Sequence, residues 1–392
     1  MNELRTLLTP EALTLLDELP PYQSKADVLA LVSALRKAGN APELVTAVLA
    51  QAKLRAKARA KFGDFAGSML FTEAGLEQAT RLQVAALHAG RYRVAGIERV
   101  ADLGCGIGSD ALAMSALGIA VTAVERDEVT AALTAYNLAP FEDTVIINAD
   151  ATEVNLASVD GVFLDPARRT AGHSNTRRIT SDDYSPSLEF CFGLAEQLPT
   201  GIKLGPGLDR DLIPENCEAQ WISVNGEVVE MGLWFGPLAR ADVGRAALLL
   251  STDGMHEMTA SSDAPDEPVG ALESYLYEPD GAVIRARLIG DLARALDAHP
   301  IAPEIAYLSS AELTSTPFAQ AFEVEAVFPL DVKTLIAELK SRNIGTLEIK
   351  KRGVDIDPAE FRKKLKLSGP NSATLVLTRV GEDRKAILAR RV

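Results

Sequence analysis

The chain has 392 residues, 47% of them apolar, and a formal net charge of −14, which is length and apolar content for two or three packed domains. No apolar run approaches the roughly 18 residues of a membrane-spanning helix, and the opening MNELRTLLTPEAL lacks the layout of a secretory signal. Cys105, Cys191 and Cys217 are too widely spaced for a disulfide framework or a CxxC zinc site, and His88, His173, His256 and His299 are isolated in sequence. No metal site is expected, and a reducing cytoplasm is the expected compartment. Residues 1–62 read as helices, one starting at Pro10-Glu11, one at Ser24-Lys25-Ala26-Asp27, and a third running from Pro42 through LRAKARAKF. Phe71–Arg81, FTEAGLEQATR, predicts an amphipathic helix with Thr72 as N-cap and Glu73 in its first turn.

Val100–Asp110, VADLGCGIGSD, is an apolar strand that ends in an acid and breaks into the alternate glycines Gly104, Gly106 and Gly108. Such glycines permit a tight strand-to-helix turn and close approach of a ligand to backbone. A helix over Leu112–Leu117 follows, as at the nucleotide crevice of an open α/β sheet. Ser109 stands where a dinucleotide fingerprint needs its third glycine. Asp102, just ahead of the glycines, suits a ligand with a cationic head better than a pyrophosphate, and the ammonium and sulfonium of S-adenosylmethionine fit. Ile119–Val124 predicts a second strand with Glu125 at its end, 17 residues beyond Gly108, placed to accept from ribose hydroxyls. Thr144–Asn148 is a third strand followed by Asp150, which can accept from an adenine amine. Val159–Leu164 is a fourth, ending in Asp165-Pro166-Ala167-Arg168. Each acid alone is an ordinary solvated strand-end residue; four on one rim make a site.

These residues resemble the class I S-adenosylmethionine-dependent methyltransferases. The resemblance implies that Asp102 and the loop Gly104, Cys105, Gly106 and Gly108 hold the methionine end, Glu125 the ribose and Asp150 the adenine. The Asp165-Pro166 step sits where amine-directed members carry (Asp/Asn/Ser)-Pro-Pro-aromatic, so Asp165 and Pro166 are the candidate catalytic pair. Ala167 and Arg168 depart from that pattern and supply no ring to stack on a flipped base. The segment Phe71–Arg81 resembles the corresponding part of a bacterial methyltransferase group with a C-terminal THUMP-like domain, whose core is similar to the trimethylguanosine synthases. By that resemblance Gln78 and Thr80 reach the cofactor from the far side.

The polar stretch Pro166–Tyr184 has no periodicity and reads as a long functional loop. A helix over Leu188–Leu198, a fifth strand at Ile202–Leu204 and a hairpin turn at Asn225-Gly226 complete a predicted seven-stranded sheet. Ser261–Pro268 reads as a linker, and Tyr275-Leu276-Tyr277-Glu278-Pro279-Asp280 as a structural junction. Beyond it, a strand at Thr346–Ile349, a helix capped by Asp357-Pro358, and a hairpin of Leu375–Arg379 with Ala386–Ala389 around Gly381 suit a THUMP-like module. The expected architecture is α/β: a helical region over 1–62, a Rossmann-like methyltransferase core over 63–255 and an α+β THUMP-like domain over 269–392.

Charge is unevenly spread. Residues 63–255 carry 13 Lys and Arg against 27 Asp and Glu, whereas residues 331–392 carry 15 against 8. Seven of those cations fall between Lys350 and Lys366: Lys350, Lys351, Arg352, Arg362, Lys363, Lys364 and Lys366. A local patch, not the global sum, sets a phosphate-binding footprint. Arg168, Arg169, Arg177 and Arg178 add guanidinium groups beside the Asp165 rim, where they can meet phosphates or pair with Asp182 and Asp183. RNA is therefore the expected partner and methyl acceptor, through a base amine or ring nitrogen. A small-molecule methyltransferase, or an RNA-binding protein that keeps the fold without transfer, are the other readings. Oligomeric state is not legible.

Overall fold

The computed structural model of the protein describes residues 6–20, 25–168 and 183–392. The chain divides into two compact units, residues 1–204 with 234–239, and residues 205–233 with 240–392.

The first unit opens with α1 (Pro10–Asp17), α2 (Lys25–Lys37), α3 (Pro42–Phe62), α4 (Glu73–Gln78) and α5 (Leu82–Val94). Their starts follow from local chemistry. The Thr9 side chain accepts from the Ala12 amide with Pro10 in the first turn, and Pro42 opens α3. The Thr72 hydroxyl accepts from the Gly75 amide at 2.9 Å, as expected of an N-cap. Ser24, the expected start of α2, lies outside the described residues.

β1 (Arg99–Leu103), β2 (Ala120–Glu125), β3 (Thr144–Asn148), β4 (Gly161–Leu164), the short β5 (Ala167–Arg168) and β6 (Tyr184–Ser185), and β7 (Thr200–Leu204) alternate with α6 (Ser109–Ala116), α7 (Glu128–Leu138) and α8 (Leu188–Ala195). Five of these strands lie in the order β7-β4-β1-β2-β3, every pair parallel. Helices cover such a sheet on both faces, and β4 and β7 are buried along their whole length. Phe62, Phe71, Tyr92, Ile107, Met114, Phe163 and Trp234 fill one continuous core. Parallel pairing places all five C-terminal ends on one edge. Helix α6 starts three residues before the predicted position because Gly108, in the left-handed region, serves as its cap.

In the second unit, β8 (Glu218–Val224) turns at Asn225 (φ +52°) and Gly226 (φ +82°) into β9 (Glu227–Trp234). Two positive φ values are what a tight two-residue hairpin needs. β10 (Arg245–Ser251) runs parallel to β8 and antiparallel to β11 (Gly254–Ala260). Beyond the one late hairpin that the sequence predicts, the second unit carries two further strands. The addition is the β10–β11 hairpin, whose outer strand alternates between exposed and half-buried residues and offers no apolar run to read.

The remaining strands are β12 (Tyr275–Pro279), β13 (His299–Pro300), β14 (Leu308–Ser310), β15 (Ala319–Pro329), β16 (Ile344–Lys351), β17 (Asn371–Val380) and β18 (Asp383–Arg391). They form a seven-stranded sheet in the order β13-β14-β12-β15-β18-β17-β16. Helices α9 (Gly281–Arg285), α10 (Ile289–Leu296), α11 (Val332–Ser341) and α12 (Pro358–Leu365) complete an α+β unit. Leu335 and Leu339 of α11 and Phe361 and Leu365 of α12 share a core with Leu375, Leu377, Ala386 and Leu388. The junction at Tyr275–Asp280 is structural: the Thr314 amide donates to the Tyr277 hydroxyl at 2.8 Å, and Asp280 caps α9 and accepts from Ser223.

Candidate cofactor and acceptor site

The glycine loop is held by backbone and by α7. The amides of Gly104 and Cys105 donate to the Val124 carbonyl, at 2.9 and 3.1 Å, so the turn is tied to the end of β2. Gly104, Gly106 and Gly108 all have positive φ, and a Cβ on Gly108 would lie 3.1 Å from the Thr134 methyl group. From α7, the Thr134 hydroxyl donates to the Gly106 carbonyl, and Asn137 Nδ2 donates to the Ile107 carbonyl at 2.9 Å. Asn137 also accepts from the Leu70 amide at 2.7 Å, which joins the segment before α4 to the loop.

The four strand-end acids occupy different environments. Asp102 is 1% exposed, and its Oδ2 is buried with no hydrogen-bond donor beside it. Burial first, then the neighbouring Asp110 and Asp165 carboxylates, push its carboxyl well above the usual range, with Lys203 opposing. A buried acceptor without a donor is what an incoming ammonium satisfies. Glu125 accepts from the Gly106 amide at 3.2 Å and from the Asp127 amide at 2.9 Å, so its carboxylate is fixed at the end of β2. Asn148 donates to the carbonyls of Glu125 and Arg126 and steadies the same corner. Asp150 is exposed and accepts from the Thr152 amide and hydroxyl at 2.9 and 2.7 Å. Burial, followed by Asp102 and Glu125, raises the Cys105 thiol well above its ordinary value and keeps it protonated. These residues fit S-adenosylmethionine by their donor set: a buried carboxylate, open backbone at three glycines and two carboxylates farther along the rim.

On the β4 side, Asp165 Oδ2 lies 2.5 Å from Lys203 Nζ, and Pro166 is buried. Arg168 is exposed in β5, which pairs with β6 so that Arg168 lies opposite Tyr184. Arg169, Arg177, Arg178 and Asp182 lie outside the described residues. Thr80 is buried, and its hydroxyl donates to Asp110 Oδ2 at 2.7 Å and accepts from Lys203 at 2.9 Å. Gln78 is exposed near the end of α4. Lys61 donates to the carbonyls of Leu76, Glu77 and Ala79 and so closes the C-terminal end of that helix.

Three residues that the sequence pattern did not single out belong here. Lys203, Asp110 and His88 form, with Thr80 and Asp165, one polar string that is buried except at Asp165. His88 Nδ1 lies 2.8 Å from Asp110 Oδ1, and the ring sits 5.3 Å from Phe163 and 5.5 Å from Trp234. Burial alone would raise the Asp110 carboxyl, but His88, Lys203 and Thr80 outweigh it and hold the group below its ordinary value. The one available signal was a lone charge in an otherwise uncharged element: Lys203 in TGIKL and Asp110 at the start of α6.

In the second unit the expected cationic stretch separates into two kinds of residue. Lys350 lies 2.6 Å from Glu278, and Arg352 donates to the Ala306 carbonyl and covers the Tyr307 ring. Lys351, Arg362, Lys363, Lys364 and Lys366 are exposed, with Lys363 beside Glu360 at 2.6 Å. Among the described residues no cluster of His, Cys, Asp and Glu is placed to hold a metal ion, and no helix is long and apolar enough to cross a membrane.

Residues 319–391 match the THUMP domain-like family, and residues 1–58 match a domain of unknown function. Two uncharacterized S-adenosylmethionine-dependent methyltransferases, from two strains of Mycobacterium tuberculosis, are each 32% identical over 352 residues, which is 87% of this chain and 94% of theirs. The crystal structure of a Porphyromonas gingivalis W83 protein assigned as a methyltransferase superposes with a TM-score of 0.69 at 21% identity. The match covers 94% of this chain and 99% of that one.

Proposed function

The chain belongs to the S-adenosylmethionine-dependent methyltransferases, and we propose that RNA is the substrate it methylates, at a base amine or ring nitrogen. The observation that carries the RNA reading is the exposed cationic face of α12 and its flanks. Phe361 and Leu365 turn inward while Arg362, Lys363, Lys364 and Lys366 stay in water, inside the part that matches the THUMP domain-like family. Binding there would be to phosphate and shape, since RNA duplex grooves offer side chains little else. Lys350 and Arg352 serve mainly to hold β16, so the proposed footprint rests on Lys351 and the α12 cations. Arg168 is the described cation nearest in sequence to the acceptor step, and Arg169, Arg177 and Arg178 would extend it.

In this reading Asp102 takes the ammonium of the cofactor, the Gly104–Gly108 loop with Cys105 its carboxylate end, Glu125 the ribose and Asp150 the adenine, with Gln78 at the rim. S-adenosylmethionine supplies a methyl group already activated on a sulfonium. The protein's task is to place the acceptor lone pair in line with that methyl group and to exclude water, which is the proximity term. Asp165 and the Pro166 carbonyl accept hydrogen bonds from the acceptor amine and aim its lone pair. Thr80 acts from behind, through Lys203 and Asp110. The domain limits proposed are a helical region over 1–62, a catalytic core over 63–255 and the THUMP-like domain over 269–392.

The test is incubation with methyl-labelled S-adenosylmethionine and either total RNA or a metabolite extract, followed by nucleoside analysis. Label in a methylated nucleoside supports the proposal. Label confined to small molecules, or to neither fraction, contradicts it.

A further inference from the structure

Lys203 is the one charged residue of β7, a strand buried along its whole length, and its side chain is 10% exposed. A lysine is placed in such a position only when its ammonium is paired and hydrogen-bonded. Among the described residues its Nζ meets Asp165 Oδ2 at 2.5 Å and Thr80 Oγ1 at 2.9 Å. Thr80 passes the link on to Asp110 at 2.7 Å, and Asp110 to His88 at 2.8 Å. The string therefore joins β7, the residue after β4, the segment after α4, the first turn of α6 and α5. Among the described residues, the charges that act with it are the acids Asp102, Asp110 and Asp165 and the cation Lys61. Lys203 is the buried cation that all three acids share.

We propose that Lys203 is a positioning residue for methyl transfer: it holds the Asp165 carboxylate at the acceptor rim as an anion and ties it, through Thr80 and Asp110, to the helix that follows the glycine loop. This rests on the assignment of Asp165 to the acceptor side. A carboxylate meant to accept from a substrate amine must be ionised and immobile before the substrate arrives. One lysine supplies both conditions, a point charge within bonding distance and a second anchor on Thr80. The same string couples the acceptor rim to the first turn of α6, so that both halves of the reaction are registered against one rigid element. Neither role requires Lys203 to touch the cofactor or the acceptor.

The test uses the full chain with ¹³C-labelled aspartate carboxyl groups, the Asp165 signal being assigned by its loss in Asp165→Asn. In Lys203→Met the Asp165 titration midpoint should rise by about one to three units, the span that an opposite charge at this distance controls. Lys203→Arg should return it toward the parent value. Lys203→Gln removes the charge but keeps a donor, and gives the same reading should Lys203→Met fail to fold. A midpoint unmoved in the neutral variants overturns the proposal. In parallel, transfer by Lys203→Met should fall at least tenfold, as displacement of an aligning group by about 1 Å can do, and by more than its affinity for S-adenosylhomocysteine falls. Equal loss of binding and transfer would show Lys203 to be structural. Failure of the underlying assignment looks different: Asp165→Asn would transfer at the parent rate whatever the titration shows.

Discussion

Asp102 and Asp110 lie eight positions apart in the chain, are both buried, and are driven in opposite directions. Asp110 has His88, Thr80 and Lys203 around it and is held ionised; Asp102 has an oxygen with no donor and is held toward its neutral form by burial and by the other acids. In the proposed assignment, the cofactor ammonium reverses the second case. Because the cofactor favours ionised Asp102 whereas the free protein favours the acid, binding expels a proton at pH values below the raised value. Affinity for S-adenosylmethionine should thus rise with pH from the ordinary carboxylate range up to that value and then level off. Calorimetry over a pH series checks it, and Asp102→Asn should flatten the curve. Asp102→Ala should weaken binding roughly tenfold or more, since a hydrogen bond to a charged group contributes about 1.5–3 kcal/mol. The same residue sets a stability trade. An acid whose folded value is raised contributes stability at low pH that disappears as pH rises through the folded value. Near neutrality the cofactor-free Asp102→Asn protein should therefore melt above the parent, a result that scanning calorimetry can contradict.

At the scale of elements, the crevice depends on α7 as much as on the glycines. Asn137 is buried and hydrogen-bonds the backbone of both Leu70 and Ile107, joining two segments that precede and follow β1. Asn137→Ala would leave a buried amide and two carbonyls to find new partners, at about 1–3 kcal/mol for each one left unsatisfied. A lower melting temperature and weaker cofactor binding should appear together; a variant with parental values for both would show the brace to be dispensable. This dependence was not legible in AALTAYNL, where Asn137 reads as one polar residue near a helix end. The strands were legible for the opposite reason: β1 to β4 are short runs with an apolar centre and an acid within about two residues of the C-terminal end, so the pattern is local. Lys203 was missed because its partners lie 38 and 123 residues away in sequence, at Asp165 and Thr80, and local patterning carries no trace of such convergence. β11 was missed because an alternating, half-exposed strand has no apolar run. The split of the cations was missed too, since only the fold shows that Glu278 reaches Lys350 and that the Ala306 carbonyl reaches Arg352.

Over the whole chain, positive charge is concentrated in residues 331–392, with 15 Lys and Arg against 8 Asp and Glu, so that segment is where the proposed phosphate contacts are most directly tested. Neutralising Lys351, Arg362, Lys363 and Lys364 together should lower RNA affinity and leave S-adenosylhomocysteine binding at the parent value. The dependence of log affinity on log salt should flatten as well, by about 0.7 for every phosphate no longer neutralised on a single strand. An unchanged slope would mean that these side chains only solvate β16 and α12. The central claim, an RNA methyltransferase whose acceptor is aimed at Asp165, meets its most direct test in one comparison: transfer of labelled methyl groups to total RNA by the parent and by Asp165→Ala, with S-adenosylhomocysteine affinity measured on both. The account predicts label in RNA from the parent, none from the variant, and cofactor affinities within a few fold of each other. Transfer by Asp165→Ala at the parental rate, or a parent that leaves RNA unlabelled, would contradict it.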